Sequence, residues 1–139
     1  MAKRDLPTRR AYRQGELLFL PLSKADHAKL LQGRKDLSKL GWRQLDTNVL
    51  REGEATGHKH EVISHLATAA ALLFAPPPGP LVPGLAGMTR LTEQDRLLVT
   101  EGPVEIVHPE HKPLRLPRGI HLVVVQREYD ETRPRLVQD

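Results

Sequence analysis

Four of the seven histidines fall in two close pairs, and those pairs carry the most chemistry in the sequence. The first is Gly57-His58-Lys59-His60. On a β-strand, residues two apart project from one face, so His58 and His60 can reach a common ion while Lys59 points away. The second is His108-Pro109-Glu110-His111. Pro109 stops a helix, and a β-turn across 108–111 brings its outer α-carbons within roughly 7 Å, close enough for both imidazoles to converge. Together the pairs offer four nitrogens, with Glu61 and Glu110 as neighbouring oxygen donors. Imidazole and carboxylate suit zinc, iron, manganese, nickel or copper, and a site of three or four such ligands with an open position can polarise water or bind a substrate. The competing reading of each pair is two solvated side chains titrating at ordinary values.

The other histidines have weaker claims. His27 and His65 lack a partner pattern and read as surface or core-edge residues, and His121 joins a site only if its face of a strand lines it. Glu54, Glu110 and Glu128 are candidate bases, with Glu128 also a candidate ligand or acceptor for an imidazole N–H. The competing reading of Glu128 is a surface pair with Arg127, worth little to stability.

The elements that must position these residues read as mainly β. Leu17 to Leu22 is a short apolar run bounded by Gly15 and Ser23, the length of a buried strand. Ser23 with Asp26 three residues on resembles a capping box, predicting a helix near 24–32 that stops at Gly33. A second helical stretch over 35–40 would end at Gly41, before the single Trp42. The region about 24–41 is then either a two-helix insertion packed against a sheet or a helix followed by an irregular connection. Strands are predicted near 47–52, 55–63, 68–74, 96–100, 103–108 and 119–128. The Ala-rich stretch 66–75 also has a helical alternative, from propensity alone. Pro76 to Gly84 holds too few backbone donors for regular structure and reads as a stiff loop. Glu101-Gly102-Pro103 reads as a hairpin turn, and Leu116 to Gly119 as the turn launching the last strand. In that strand, Ile120, Leu122 and Val124 share one face and His121, Val123 and Val125 the other, as expected of a central strand between two layers. The fold class expected is a small β-barrel or sandwich-like domain with a short helical insertion.

Composition bounds the rest. With 139 residues, 39% hydrophobic and 27% charged, the chain suits one globular domain with a modest aliphatic core. It has no cysteine, which excludes disulfides, thiolate zinc sites, iron–sulfur clusters and a cysteine nucleophile. No run is apolar and long enough to span a membrane, and no leader pattern opens the chain, so a cytoplasmic protein is expected. The formal charge of +4 resides in residues 1–14, where Lys3, Arg4, Arg9, Arg10 and Arg13 face Asp5 alone, while the remainder carries 16 basic and 16 acidic side chains. Residues 1–14 are therefore expected to form a flexible basic arm, able to bind RNA or DNA phosphates non-specifically, and 15–139 a single domain. Walker, Rossmann, Gly-x-Ser-x-Gly and His-Glu-x-x-His patterns are all missing, which removes most of the case for nucleotide hydrolysis, dinucleotide redox chemistry and serine hydrolysis.

Two resemblances bear on these residues. His58-x-His60, followed much later by Pro117-x-Gly119-Ile120-His121, loosely resembles the two cupin motifs, which implies a β-barrel holding one metal by three His and a Glu. Here Glu61 follows the first pair immediately, and the second motif is one residue shorter between Gly and His. A closer resemblance is to small bacterial proteins with no established activity. It is carried by Arg13-Gln14-Gly15-Glu16, Gly53-Glu54-Ala55-Thr56-Gly57-His58-Lys59-His60, His108-Pro109-Glu110-His111 and Leu116 through Tyr129. It departs at His121, where that pattern usually has tyrosine. This second resemblance implies one continuous domain in which the paired histidines matter, without implying a reaction.

The leading expectation is thus a transition-metal-binding β domain using His58, His60, His108 and His111, with metal-assisted hydrolysis or cupin-like chemistry as the class of reaction to test. The alternatives are a nucleic-acid-associated adaptor acting through the basic arm, or a component of a homo-oligomer or larger assembly pairing through a strand edge.

Overall fold

The computed structural model describes residues 11–31, 36–52, 58–64, 71–77 and 91–125. They form ten strands and one α-helix: β1 Tyr12–Gln14, β2 Leu17–Pro21, α1 Lys24–Leu31, a 3₁₀ turn Leu37–Leu40, β3 Arg43–Leu45, β4 Val49–Glu52, β5 Lys59–Ile63, β6 Ala71–Ala75, β7 Arg96–Thr100, β8 Val104–His108, β9 His111–Leu116 and β10 Gly119–Val125. One antiparallel sheet runs β1-β2-β10-β7-β6-β3 and the other β4-β5-β8-β9. The two are separate, so the molecule is a β-sandwich and the closed barrel is not formed.

Alternating side chains build two cores. Strand β10 pairs with β2 on one side and β7 on the other. Its Val123 and Val125 join Leu17, Phe19, Leu73 and Leu98 against Leu50, Val62, Val104, Ile106 and Leu116 of the second sheet. On its reverse face, Leu122 and Val124 pack with Leu18, Leu97, Leu30, Leu37 and Trp42 beneath the helical layer. Both faces of β10 are therefore apolar and covered, as its sequence alternation predicts.

The local signals for the helix hold in detail. Asp26 N–H donates to Ser23 Oγ at 3.1 Å while Ser23 N–H donates to Asp26 Oδ2 at 3.4 Å, a reciprocal capping box. Leu37–Leu40 ends at Gly41, whose φ of 92° lets its N–H bond Ser38 O. The insertion is thus a helix and a single 3₁₀ turn, both packed on the sheet.

Several expectations are corrected. Glu101-Gly102-Pro103 is not a hairpin turn: Thr100 pairs with Gly119 and Ala71 in the first sheet, whereas Val104 pairs with Leu116 in the second, so the segment carries the chain between layers. Order begins before Gly15, because Tyr12, Arg13 and Gln14 of the expected arm form β1 and pair with β2; residues 1–10 lie outside the described residues. Strands β3 and β9 were not foreseen. Residues 71–75 of the Ala-rich stretch are strand, since β7 supplies a ladder that overrides helix propensity. Gly33, residues 53–57, His65, the proline-rich loop beyond Pro77 and residues 126–139 lie outside the described residues, with Glu54, Arg127 and Glu128 among them.

Candidate functional site

The register of the second sheet sets three histidines in one row. Arg51 of β4 pairs with His60 of β5; the pairs Glu61–Val107 and Val62–Ile106 place His60 beside His108 of β8; and His108 pairs with His111 of β9 across the Pro109-Glu110 turn. Residues in such a cross-strand row share a face. The ring centroids follow: His60–His108 4.3 Å, His108–His111 4.6 Å, His60–His111 6.0 Å, and His58–His108 6.0 Å. The four histidines chosen from sequence spacing therefore do converge, and the turn expected across 108–111 is the hairpin that makes them do so. His60 is buried at 1% exposure, His58 and His108 are partly exposed, and His111 and Glu110 face solvent, so the cluster is closed at its base and open at one side.

The base is closed by the β1–β2 turn, Gln14-Gly15-Glu16. Gly15 adopts φ +58°, and a β-carbon built there would stand 2.7 Å from His111 Nε2, so only glycine lets the turn lie this close to the imidazole. Buried Gln14 donates from Nε2 to Ile106 O at 2.8 Å and to Lys112 O at 2.9 Å, which fixes its amide orientation and aims Oε1 at His60 Nδ1, 2.8 Å away. An amide oxygen only accepts, so His60 carries its proton on Nδ1. A neutral His60 then presents a lone pair at Nε2, and that nitrogen stands 3.3 Å from Glu16 Oε1.

The electrostatics reinforce this. Burial pushes the His60 pKa below its ordinary value, with His108 and His111 acting the same way and Glu16 opposing them. Burial raises the Glu16 pKa, but its own backbone N–H, Arg51 and His60 outweigh that and hold it below the usual glutamate value. Arg51 Nε donates to Glu16 Oε2 at 2.9 Å and its terminal nitrogen to Gln94 Oε1 at 3.2 Å. At neutral pH the favoured state is a lone pair facing a carboxylate oxygen, an arrangement that a cation between them would stabilise.

At the open side, His58 Nδ1 is 3.5 Å from Glu110 Oε1. His108 is held differently: its Nδ1 accepts from Glu110 N–H at 3.1 Å, so its neutral form is protonated at Nε2. Using His108 Nε2 as a ligand would require giving up that turn bond. Among the described residues no three of these groups already stand in coordination geometry. Glu61 neighbours His60 in β5 and so points to the opposite face. His121 is buried elsewhere, with Nε2 3.0 Å from Pro117 O, and takes no part. His27 borders a cavity near Trp42, away from the cluster.

Sequence reasoning missed Gln14, Glu16 and Arg51 as site residues. The signal was Gln-Gly-Glu before an apolar strand: two polar side chains around a glycine, in a turn that would otherwise need neither.

The fold and site define a two-sheet β-sandwich with a histidine-lined end. The chain belongs to the family described as Domain of unknown function (DUF8820), whose sequence model matches residues 13–126, from β1 through β10. No curated protein and no solved structure matches it.

Proposed function

We propose that this domain binds a divalent transition-metal ion at the end of the sandwich, with His60 Nε2 and Glu16 Oε1 as the preset donors and His58, His108 and His111 supplying further imidazoles. The observation that carries the reading is the pair His60–Glu16. Gln14 forces the lone pair of neutral His60 toward a carboxylate oxygen at 3.3 Å, about the spacing of two ligands each roughly 2.0–2.1 Å from one tetrahedral ion. The hydrogen bond from His60 to Gln14 is the outer support that metal-ligating histidines generally have. His111 is exposed with its ring centroid 4.6 Å from that of His108 and 6.0 Å from that of His60, and the open side leaves room for water or a substrate. An ion bound there would supply Lewis-acid activation, consistent with metal-assisted hydrolysis or a cupin-like transformation.

The test is elemental analysis of tag-free protein, followed by calorimetric titration of chelator-treated protein with zinc, nickel, cobalt and manganese. Retention or saturable binding of close to one ion per chain, lost in His60→Gln with the fold intact by circular dichroism, supports the reading. Absence of saturable binding to every ion would overturn it. The nucleic-acid alternative depends largely on residues 1–10, outside the described residues, and no observation of the fold favours it.

A further inference from the structure

Beside His60, which pairs with Arg51, residues of edge strand β3 of the first sheet and edge strand β4 of the second line one concavity. A cavity of about 380 Å³ lies there, lined by Arg43, Arg51 and Arg96 with Gln94, Glu52 and Glu93. Three guanidinium groups meet around one concavity; Arg51 is already paired with Glu16, and Glu52 and Glu93 offset part of the remaining charge, so an anion entering there meets Arg43 and Arg96 as its main cationic partners. Arg96 is fixed from behind, since one terminal nitrogen donates to both Glu93 O and Asp95 O at 2.7 Å. Its Nε is buried and has no hydrogen-bond partner among the described residues. Burial, and Arg43 after it, lower the Arg96 pKa, although Asp95 and Glu93 oppose them. Arg51 belongs to both places: it lines the cavity and bonds Glu16, which faces His60.

We propose that this cavity holds the oxyanion end, a phosphate or a carboxylate, of a small-molecule substrate whose other end reaches the histidine centre. Guanidinium forks match both oxyanions in geometry and charge. The cavity is concave and of the size of small-ligand sites, unlike the extended basic face that a nucleic-acid backbone needs. Through Arg51 and Glu16 the anion site lies one side chain from His60. That the anion belongs to the substrate of the centre rests on the metal-binding reading; the anion site itself stands on the arginines alone.

The experiment is calorimetric titration of tag-free, chelator-treated protein with inorganic phosphate and, separately, malonate, in about 0.15 M sodium chloride to screen diffuse attraction. Saturable binding of at least one anion with a Kd of about 1 mM or tighter is expected, weakened about tenfold or more in Arg96→Gln and in Arg43→Gln. Glu93→Gln, which removes a competing carboxylate, should bind as well or better. No saturable binding of either anion, or unchanged affinity in both arginine variants, overturns the proposal. Arg43 sits on an exposed edge strand, so its variant reports even if Arg96→Gln fails to fold. Phosphate or malonate binding by a protein that takes up no metal supports the anion site and removes the centre from it; metal uptake without anion binding overturns the cavity alone.

Discussion

Gln14 Oε1 lies 2.8 Å from His60 Nδ1, and the same amide ties the β8 and β9 backbones together through Ile106 O and Lys112 O. One buried side chain therefore sets both the tautomer of His60 and the position of the hairpin that carries His108 and His111. Gln14→Ala would remove the donor to two backbone carbonyls and leave His60 Nδ1 without its acceptor. We expect a loss of about 1–3 kcal/mol in chemical denaturation. Metal affinity should fall about 10–100-fold, as for other outer supports of ligating histidines. Wild-type affinity in a folded Gln14→Ala protein would show that the tautomer is not what prepares the site.

Gly15 is constrained twice, by its positive φ and by His111 Nε2. Gly15→Ala should lower stability by about 1–3 kcal/mol from backbone strain and also displace the His111 ring. Gly15→Asn, better suited to the left-handed region, should recover part of the backbone cost but not the ring position. The histidine C2 proton shifts in NMR spectra separate the two effects.

His121 gives the fold a pH dependence of defined sign. Burial holds its pKa below the ordinary value of 6.5, with the Pro117 carbonyl opposing. The unfolded chain then binds a proton more readily than the native state, so stability is full above about pH 6.5 and falls as pH drops toward the folded value. His60 acts in the same direction. Melting temperatures measured from pH 7.5 down to 5 should decline, and His121→Gln should flatten the decline in part. A slope unchanged in that variant would show that His121 does not contribute.

Asp95 fastens the end of β10. Fully buried, it accepts from Val125 N–H through Oδ1 at 3.1 Å and from Thr92 N–H through Oδ2 at 2.8 Å. Asp95→Ala should cost about 1–3 kcal/mol by removing the acceptor of the buried Val125 N–H as well as that of Thr92 N–H, and Asp95→Asn should cost less, because one oxygen still accepts. Urea denaturation of the two variants checks the order.

The elements legible in the sequence are those whose signal is local. Ser23 and Asp26 cap a helix whatever lies elsewhere, Gly41 ends the 3₁₀ turn through its own φ, and the Val/Leu/Ile alternation of 119–125 fixes a strand with two apolar faces. The spacing of His58 with His60 and of His108 with His111 likewise sets each pair on one side of its own segment. Strand β9 was not legible, because its residues from His111 to Arg115 are mostly exposed and carry no apolar alternation; only pairing with β8 makes them a strand.

Read along the chain, the residues thus specify which side chains are available and which neighbours share a face. That the two histidine pairs meet is a product of long-range folding, because it depends on β5 and β8 being adjacent in a register that sets His60 beside His108. Such folding alone also brought Gln14 and Glu16, more than forty residues away in the chain, over His60. Pairing between distant strands is settled by burial of the whole core of Leu50, Val62 and Ile106 against Phe19 and Val123, an energy spread over many side chains that no short stretch of sequence contains.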